Sequence, residues 1–251
     1  MSVISDNIRI CVVVPTYNNV GTVVKVISDV SKYIQDIIVV NDGSTDDTEV
    51  VLQKQSLPIT IVSYEKNRGK GHALVAGFRE AKRMGFTHAI TIDADGQHFA
   101  DDIPTLQEAL ATNQKGIIVG CRNLTEENMP RQNTFANKFS NFWFRLQTSI
   151  NLPDTQSGYR LYTLSSLCGL GMITSRYEAE LELLVYAAWA GVNITSVPVR
   201  VYYPPEEERV SHFRPVYDFT RISILNTILC VLAVVYGYPR LIARKIMNLL
   251  K

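Results

Sequence analysis

Hydrophobic and polar positions along the chain fall into two patterns that take turns. Residues 8–15 form a short run rich in Val and Ile. Residues 20–34 then place Val20, Val23, Val24, Ile27, Val30 and Ile34 near helical spacing. Residues 37–41 are a second apolar run, and Ser44-Thr45-Asp46-Asp47 offers N-cap side chains for a helix through Gln55. Segments 59–63, 70–84, 88–93, 101–112 and 116–121 continue the alternation. Doubly apolar strands joined by crossover helices predict an α/β fold with a mostly parallel sheet covered on both faces. Ligands of such sheets sit beyond the carboxyl ends of the strands, where this chain places its polar motifs.

After Cys121 the pattern loosens. Residues 133–150 predict a helix with Phe135, Phe139, Phe142, Trp143, Leu146 and Ile150 on one side. Residues 152–160 read as a loop, 178–190 as a helix, 193–202 as an alternating strand and 204–208 as a solvated loop. Neither an internal repeat nor a low-complexity segment interrupts the chain.

Composition refines this picture. The 251 residues suit one α/β domain with an appendage, and the net charge of +1 gives no support to a nucleic-acid partner. The charge is uneven: residues 200–251 hold eight Lys/Arg against four Asp/Glu, beside the most apolar stretch. Cys11, Cys121, Cys168 and Cys230 are scattered and read as small buried groups in a reducing compartment. Residues 1–9 carry Asp6 and lack an apolar core, so no signal peptide is expected and the cytoplasm or its membrane face is the default.

The strand ends carry the candidate chemistry. Asp93-Ala94-Asp95-Gly96-Gln97-His98 follows a strand, and carboxylates at i and i+2 there can converge on one hard cation such as Mg²⁺ or Mn²⁺. Such a cation would bridge a diphosphate and neutralise the charge that grows as a sugar–phosphate bond breaks. A polar turn with an Asp cap is the plain alternative. Asp42, ending the second strand, can accept hydrogen bonds from a nucleotide, and Asn67-Arg68-Gly69-Lys70-Gly71-His72 can present backbone N–H groups and a cation to phosphate. Each also reads as an ordinary turn. Their meeting at one sheet edge favours a site.

The set VVPTYNN, VNDGSTDDT, NRGKGHAL and DADGQH, over residues 8–100, resembles the family 2 glycosyltransferases with the GT-A fold. The resemblance implies a donor site of Pro15, Tyr17, Asn18, Asp42, Lys70, Asp93, Ala94 and Asp95. It also implies a metal held by Asp93, Asp95 and Gln97, the last as in the dolichyl-phosphate mannose synthase branch. Asp154-Thr155-Gln156-Ser157-Gly158-Tyr159-Arg160 is similar to a segment of polyprenyl-phosphate sugar synthases, and Val119-Gly120-Cys121-Arg122 to their G-S-R segment with Cys121 in place of serine. Arg122, Arg131, Ser157, Arg160 and Arg200 become candidates for the acceptor, since guanidinium forks match phosphate. Ser211-His212 falls where relatives have a Ser-Lys or similar pair.

The expected activity is inverting transfer of a hexose from a UDP- or GDP-sugar to a membrane lipid, above all polyprenyl phosphate. A phosphate acceptor is already anionic near neutrality and needs no base, so Arg122 and the metal would do the electrostatic work. A hydroxyl acceptor would need one, and Asp154 is the candidate, with a structural role as its alternative. A non-catalytic nucleotide-sugar module is disfavoured by the intact Asp93, Asp95 and Asp154. Nucleotidyl transfer is disfavoured because Thr16-Tyr17-Asn18-Asn19 is not a glycine-rich loop.

Residues 222–239 are uncharged and mostly apolar, and 240–251 are amphipathic, with Ile242, Ile246, Leu249 and Leu250 against Arg240, Arg244, Lys245 and Lys251. An interfacial helix pair, a single marginal span, or a helix packed in the core or a dimer interface all fit, and a homo-oligomer stays open. The expected organisation is a GT-A catalytic domain over 1–214 and a membrane-associating helical segment over 215–251.

Overall fold

The alternating patterns close into one seven-stranded sheet in the order β3-β2-β1-β4-β6-β5-β7. The structure is a computed structural model that describes residues 8–123, 131–203 and 215–249. The strands are β1 (Ile10–Thr16), β2 (Ile37–Asn41), β3 (Ile59–Ser63), β4 (His88–Thr91), β5 (Ile117–Arg122), β6 (Arg160–Thr163) and β7 (Ile194–Val199). The helices are α1 (Val23–Ser31), α2 (Thr48–Gln53), α3 (Lys70–Arg83), α4 (Ile103–Glu108), α5 (Arg131–Thr148), α6 (Glu178–Trp189), α7 (Pro215–Leu232) and α8 (Tyr238–Leu249).

Strand β1 shows why the sheet is covered on both sides. Cys11 and Val13 join the core beneath α3 and α6, while Val12 and Val14 join the core beneath α1 and α4. Such a strand reads as a continuous apolar run because neither face meets water. Gly77 of α3 lies against Val13 so closely that a Cβ would collide with it, which draws the helix tightly onto the sheet.

Strand β6 departs from the sequence reading. Residues 161–163 had no assigned element, yet β6 runs antiparallel between β4 and β5. Four residues, Arg-Leu-Tyr-Thr, are too few for a period to register, and an arginine opens them. The sheet is therefore mixed, though mostly parallel.

The apolar side of α5 is only partly covered by the fold. Phe142 is 60% exposed and Leu146 48%, while Asn137, Ser140, Phe144, Gln147 and Thr148 are buried. Some of these buried polar groups are paired: Gln147 donates through Nε2 to Asn226 Oδ1 at 3.0 Å and accepts the Trp189 indole N–H at 2.9 Å through its backbone carbonyl, while Gln147 Oε1 and Asn226 Nδ2 have no hydrogen-bond partner among the described residues. Helices α7 and α8 are joined by a π-helical turn over Ala233–Gly237. Leu225, Asn226, Leu229 and Ala233 point inward, and Gly237 lets the helix pass directly against the Trp189 ring. Ile224, Ile228, Val231, Val235, Ile242 and Ile246 point out and are exposed. Among the described residues, the run Thr220–Met247 is long and apolar enough to cross a membrane.

Candidate donor and transfer site

Polar loops at the carboxyl ends of β1, β2 and β4 enclose a cleft of about 690 Å³. Its first wall is laced from two loops. Asn18 sits at a positive φ of 53° and accepts the Thr45 N–H at 2.7 Å through its side-chain oxygen; its own N–H donates to Ser44 Oγ at 3.0 Å. Short polar side chains bond local backbone in this way and tolerate the left-handed conformation.

Asp42, nearly buried, accepts the Arg68 N–H at 2.9 Å and the Gly69 N–H at 2.7 Å, one on each oxygen. Burial pushes its carboxyl up, against the pull of those two bonds. Gly43 must be glycine: its φ is 70°, and a Cβ would meet the backbone of Lys66 and Asn67. Gly71 gives its N–H to the Ser175 carbonyl at 2.8 Å. The segment expected to offer backbone N–H groups to phosphate thus spends those of Arg68, Gly69 and Gly71 within the protein.

Lys70, the first residue of α3, reaches across to Asp93 at 2.7 Å and Glu180 at 2.9 Å. Burial alone would lower its pKa, but the two carboxylates outweigh that and raise it, so the ammonium stays charged. Burial would raise Asp93 as well; Lys70 outweighs it and holds Asp93 below the ordinary range. Asp95 has the opposite fate. Burial, with the Asp93 charge beside it, pushes its carboxyl up to about 6. Desolvation lowers half-buried His98 to about 4, and its Nδ1 has no hydrogen-bond partner among the described residues.

Nine expected donor and metal residues line this one cleft: Pro15, Tyr17, Asn18, Asp42, Lys70, Asp93, Ala94, Asp95 and Gln97. No group of three or more His, Cys, Asp or Glu among the described residues could hold a metal unaided. Two carboxylates and an amide at the rim of an open cleft nevertheless suit a hard cation that takes its other ligands from water and phosphate. The raised Asp95 supports that fit, because a divalent cation would offset both the burial and the repulsion from Asp93 that now raise it.

The acceptor candidates are less united. Arg122 donates to Asp154 from Nε at 2.7 Å and Nη2 at 3.0 Å, and its backbone N–H adds a third bond at 3.2 Å. Asp154 also accepts from the Asn137 amide and from the N–H groups of Gln156 and Ser157. Burial would raise its pKa, but Arg122 outweighs burial and lowers it. Fully buried and so engaged, Asp154 does not line the cleft; it orients Arg122 and ties the turn, the structural alternative to a general base.

Arg160 is likewise structural. It is fully buried and bonds the carbonyls of Ser157, Thr155 and Glu180 and the Tyr162 hydroxyl, so its fork builds the core. Ser157 is buried beside it, accepting the Tyr159 N–H. Arg200 pairs with Asp101 at 2.6 Å and Asp102 at 2.9 Å and does not line the cleft. Arg131 opens α5, but its side chain lies outside the described residues, as do residues 204–208 and Ser211-His212.

Two lining residues escaped the sequence reading, Arg176 and Tyr177. They precede α6 without a motif of their own. Only the packing of Ser175 over Gly69 and Gly71 brings them to the cleft.

The chain is 30% identical to the UDP-N-acetylglucosamine–dolichyl-phosphate N-acetylglucosaminyltransferase of Methanococcus voltae over 77% of this chain and 86% of that protein. It is 25% identical to the undecaprenyl-phosphate mannosyltransferase of Micrococcus luteus, over 76% and 82%. The fold is similar to glucosyl-3-phosphoglycerate synthase from Mycobacterium tuberculosis, solved with Mn²⁺, UDP and phosphoglyceric acid; the TM-score is 0.67 at 21% identity, covering 89% of this chain and 78% of that one. Residues 11–168 match the profile described as glycosyl transferase family 2, and the chain belongs to that family.

Proposed function

We propose that the protein transfers a hexose, with inversion, from a UDP- or GDP-sugar to a polyprenyl-type lipid phosphate at a membrane surface. The observation that carries this reading is the gathering of the nine donor and metal residues in one cleft at the strands' carboxyl ends. The relatives' names support both substrates, a nucleotide sugar in one and a lipid phosphate in both.

The acceptor phosphate oxygen attacks the anomeric carbon as the diphosphate leaves on the opposite side. The acceptor is ionised near neutrality, so no residue need remove a proton, which agrees with an Asp154 sealed from solvent. Arg122, held in place by Asp154, lies close enough to Asp93 and Asp95 for its charge to be felt there, and is the proposed acceptor-phosphate contact. Lys70 faces the departing diphosphate. Mg²⁺ or Mn²⁺, held by Asp93, Asp95 and Gln97, would neutralise charge on the diphosphate.

The membrane contact draws support from the outward faces of α5, α7 and α8. Phe142, Leu146, Ile228, Val235 and Ile242 present apolar side chains where a soluble surface would be polar. Tyr238 donates to the Leu146 carbonyl, so the outward faces adjoin. After Asp218 the sequence has five Lys/Arg and no Asp or Glu, a balance suited to the anionic cytoplasmic leaflet.

Purified protein incubated with membranes and a panel of labelled UDP- and GDP-sugars tests the proposal. Label should enter the lipid extract from one donor and be released by mild acid. Label that resists mild acid would replace the phosphate acceptor with a hydroxyl, and no transfer from any donor would sink the proposal.

A further inference from the structure

We propose that Arg176 is a phosphate-binding residue of the donor cleft, meeting the diphosphate of the nucleotide sugar. The inference rests on the reading of the cleft as a donor site.

Its position is built rather than incidental. The carboxylate of fully buried Glu182 accepts the N–H groups of Ile173 and Thr174 at 2.7 and 2.8 Å. One residue later, the Ser175 carbonyl takes the Gly71 N–H at 2.8 Å. Residues 173–175 are thereby strapped between α6 and the start of α3, and Arg176 follows at once. Its stem packs on Gly69, where an added Cβ would lie 3.1 Å from Arg176 Cγ. A side chain on Gly69 would displace it.

Charge supplies the reason for a second cation. The lining residues include the carboxylates Asp42, Asp93 and Asp95, and two cations, Lys70 and Arg176. Lys70 is shared between Asp93 and Glu180, so much of its charge is already matched. The N–H groups of Arg68, Gly69 and Gly71 are also spent within the protein. A diphosphate entering along this wall meets both side-chain cations, and a guanidinium can grip two phosphoryl oxygens at once.

The test uses calorimetry on the full chain with Mn²⁺, comparing UDP and GDP with their nucleosides, and measures the acceptor KM beside it. Arg176→Ala should weaken the bound nucleoside diphosphate about 10- to 100-fold while leaving its nucleoside unchanged. Arg176→Lys should recover part of the loss, which a merely structural role would not predict. A raised acceptor KM with unchanged diphosphate affinity would move the contact to the lipid phosphate and overturn the donor assignment. Unchanged affinity and KM would overturn any phosphate role. If wild-type protein bound neither UDP nor GDP, the donor-site reading itself would fall, and Arg176 with it.

Discussion

Helices α3 and α5 bury opposite kinds of residue. The inward face of α3 is Gly71, Ala73, Leu74, Gly77, Phe78 and Ala81, as expected of a helix between sheet and water. The inward face of α5 holds Asn137, Ser140, Gln147 and Thr148 around the buried Phe144, and Phe142 and Leu146 face out. The same contrast divides the molecule. Around the donor cleft, apolar side chains form the core and polar ones ring the strand ends. Around the Asp154 turn, the interior is charged: Arg160, Glu178, Glu180 and Glu182 are buried with Asp154 itself. The first region is held by the hydrophobic effect and gathers its polar groups around an open cleft. The second is held by polar networks whose members are costly to lose, and leaves apolar side chains exposed.

Asp154→Ala breaks that contrast most severely. It strands the buried Arg122 guanidinium and the Asn137 amide, so a loss of about 3–5 kcal/mol is expected by chemical denaturation. The pH dependence has a definite sign. Because the folded pKa of Asp154 is lowered, its stabilisation is complete above the ordinary carboxylate value near ~4 and is lost as pH falls through the lower folded value. Asp154→Asn should flatten that acid limb, and an unchanged limb would assign it to other carboxylates.

Asp95→Ala is the counterpart in the cleft, where function should fall and the fold should not. Mn²⁺-dependent nucleotide binding should drop about 100-fold or more, with stability within about 0.5 kcal/mol of wild type. Stability is spared because Asp95 is buried at some cost, as its raised carboxyl shows. Calorimetry and a melting curve together decide it; equal losses in both would make Asp95 part of the framework.

The contrast also explains what could be read from sequence. The donor half was legible because its strands are apolar on both faces and its motifs follow strand ends directly, so Asp42, Lys70, Asp93 and Asp95 could be placed together. Strand β6 was hidden because four residues carry no period. Arg160 looked like a phosphate ligand because sequence does not reveal that four oxygens inside the fold consume its donors. The bonds that tie Asp154 to Arg122 and to the turn are hidden for the same reason. Arg176 was invisible because it reaches the cleft through a backbone bond between distant segments. The apolar side of α5 is legible as a stripe, but its spacing does not say whether the fold covers it.

Substituting the outward stripe sharpens the difference between core and docking face. Ile228→Asp with Val235→Asp should lower partitioning onto anionic vesicles by about tenfold or more, because apolar area is withdrawn and negative charge is brought to the surface. Donor affinity, measured without lipid, should not change. If vesicle binding stayed at the wild-type level, these positions would face water or a second copy of the chain.

Phe142→Gln should have the smallest effect on folding, and it isolates the inversion within one helix. Elsewhere, removal of a core phenylalanine costs about 3–5 kcal/mol. Here the ring is 60% exposed and touches Trp143 edge-on with centroids 5.3 Å apart, so denaturation without lipid should differ from wild type by about 0.5 kcal/mol or less. Five residues along, Gln147 is fully buried and its amide bonds Asn226, so the polar side chain and not the aromatic one fastens α5 to α7. A large loss at Phe142 would mean that α5 is an ordinary amphipathic helix whose apolar side is covered in solution. A small one leaves that side available to the bilayer, with the inward polar face carrying the fold.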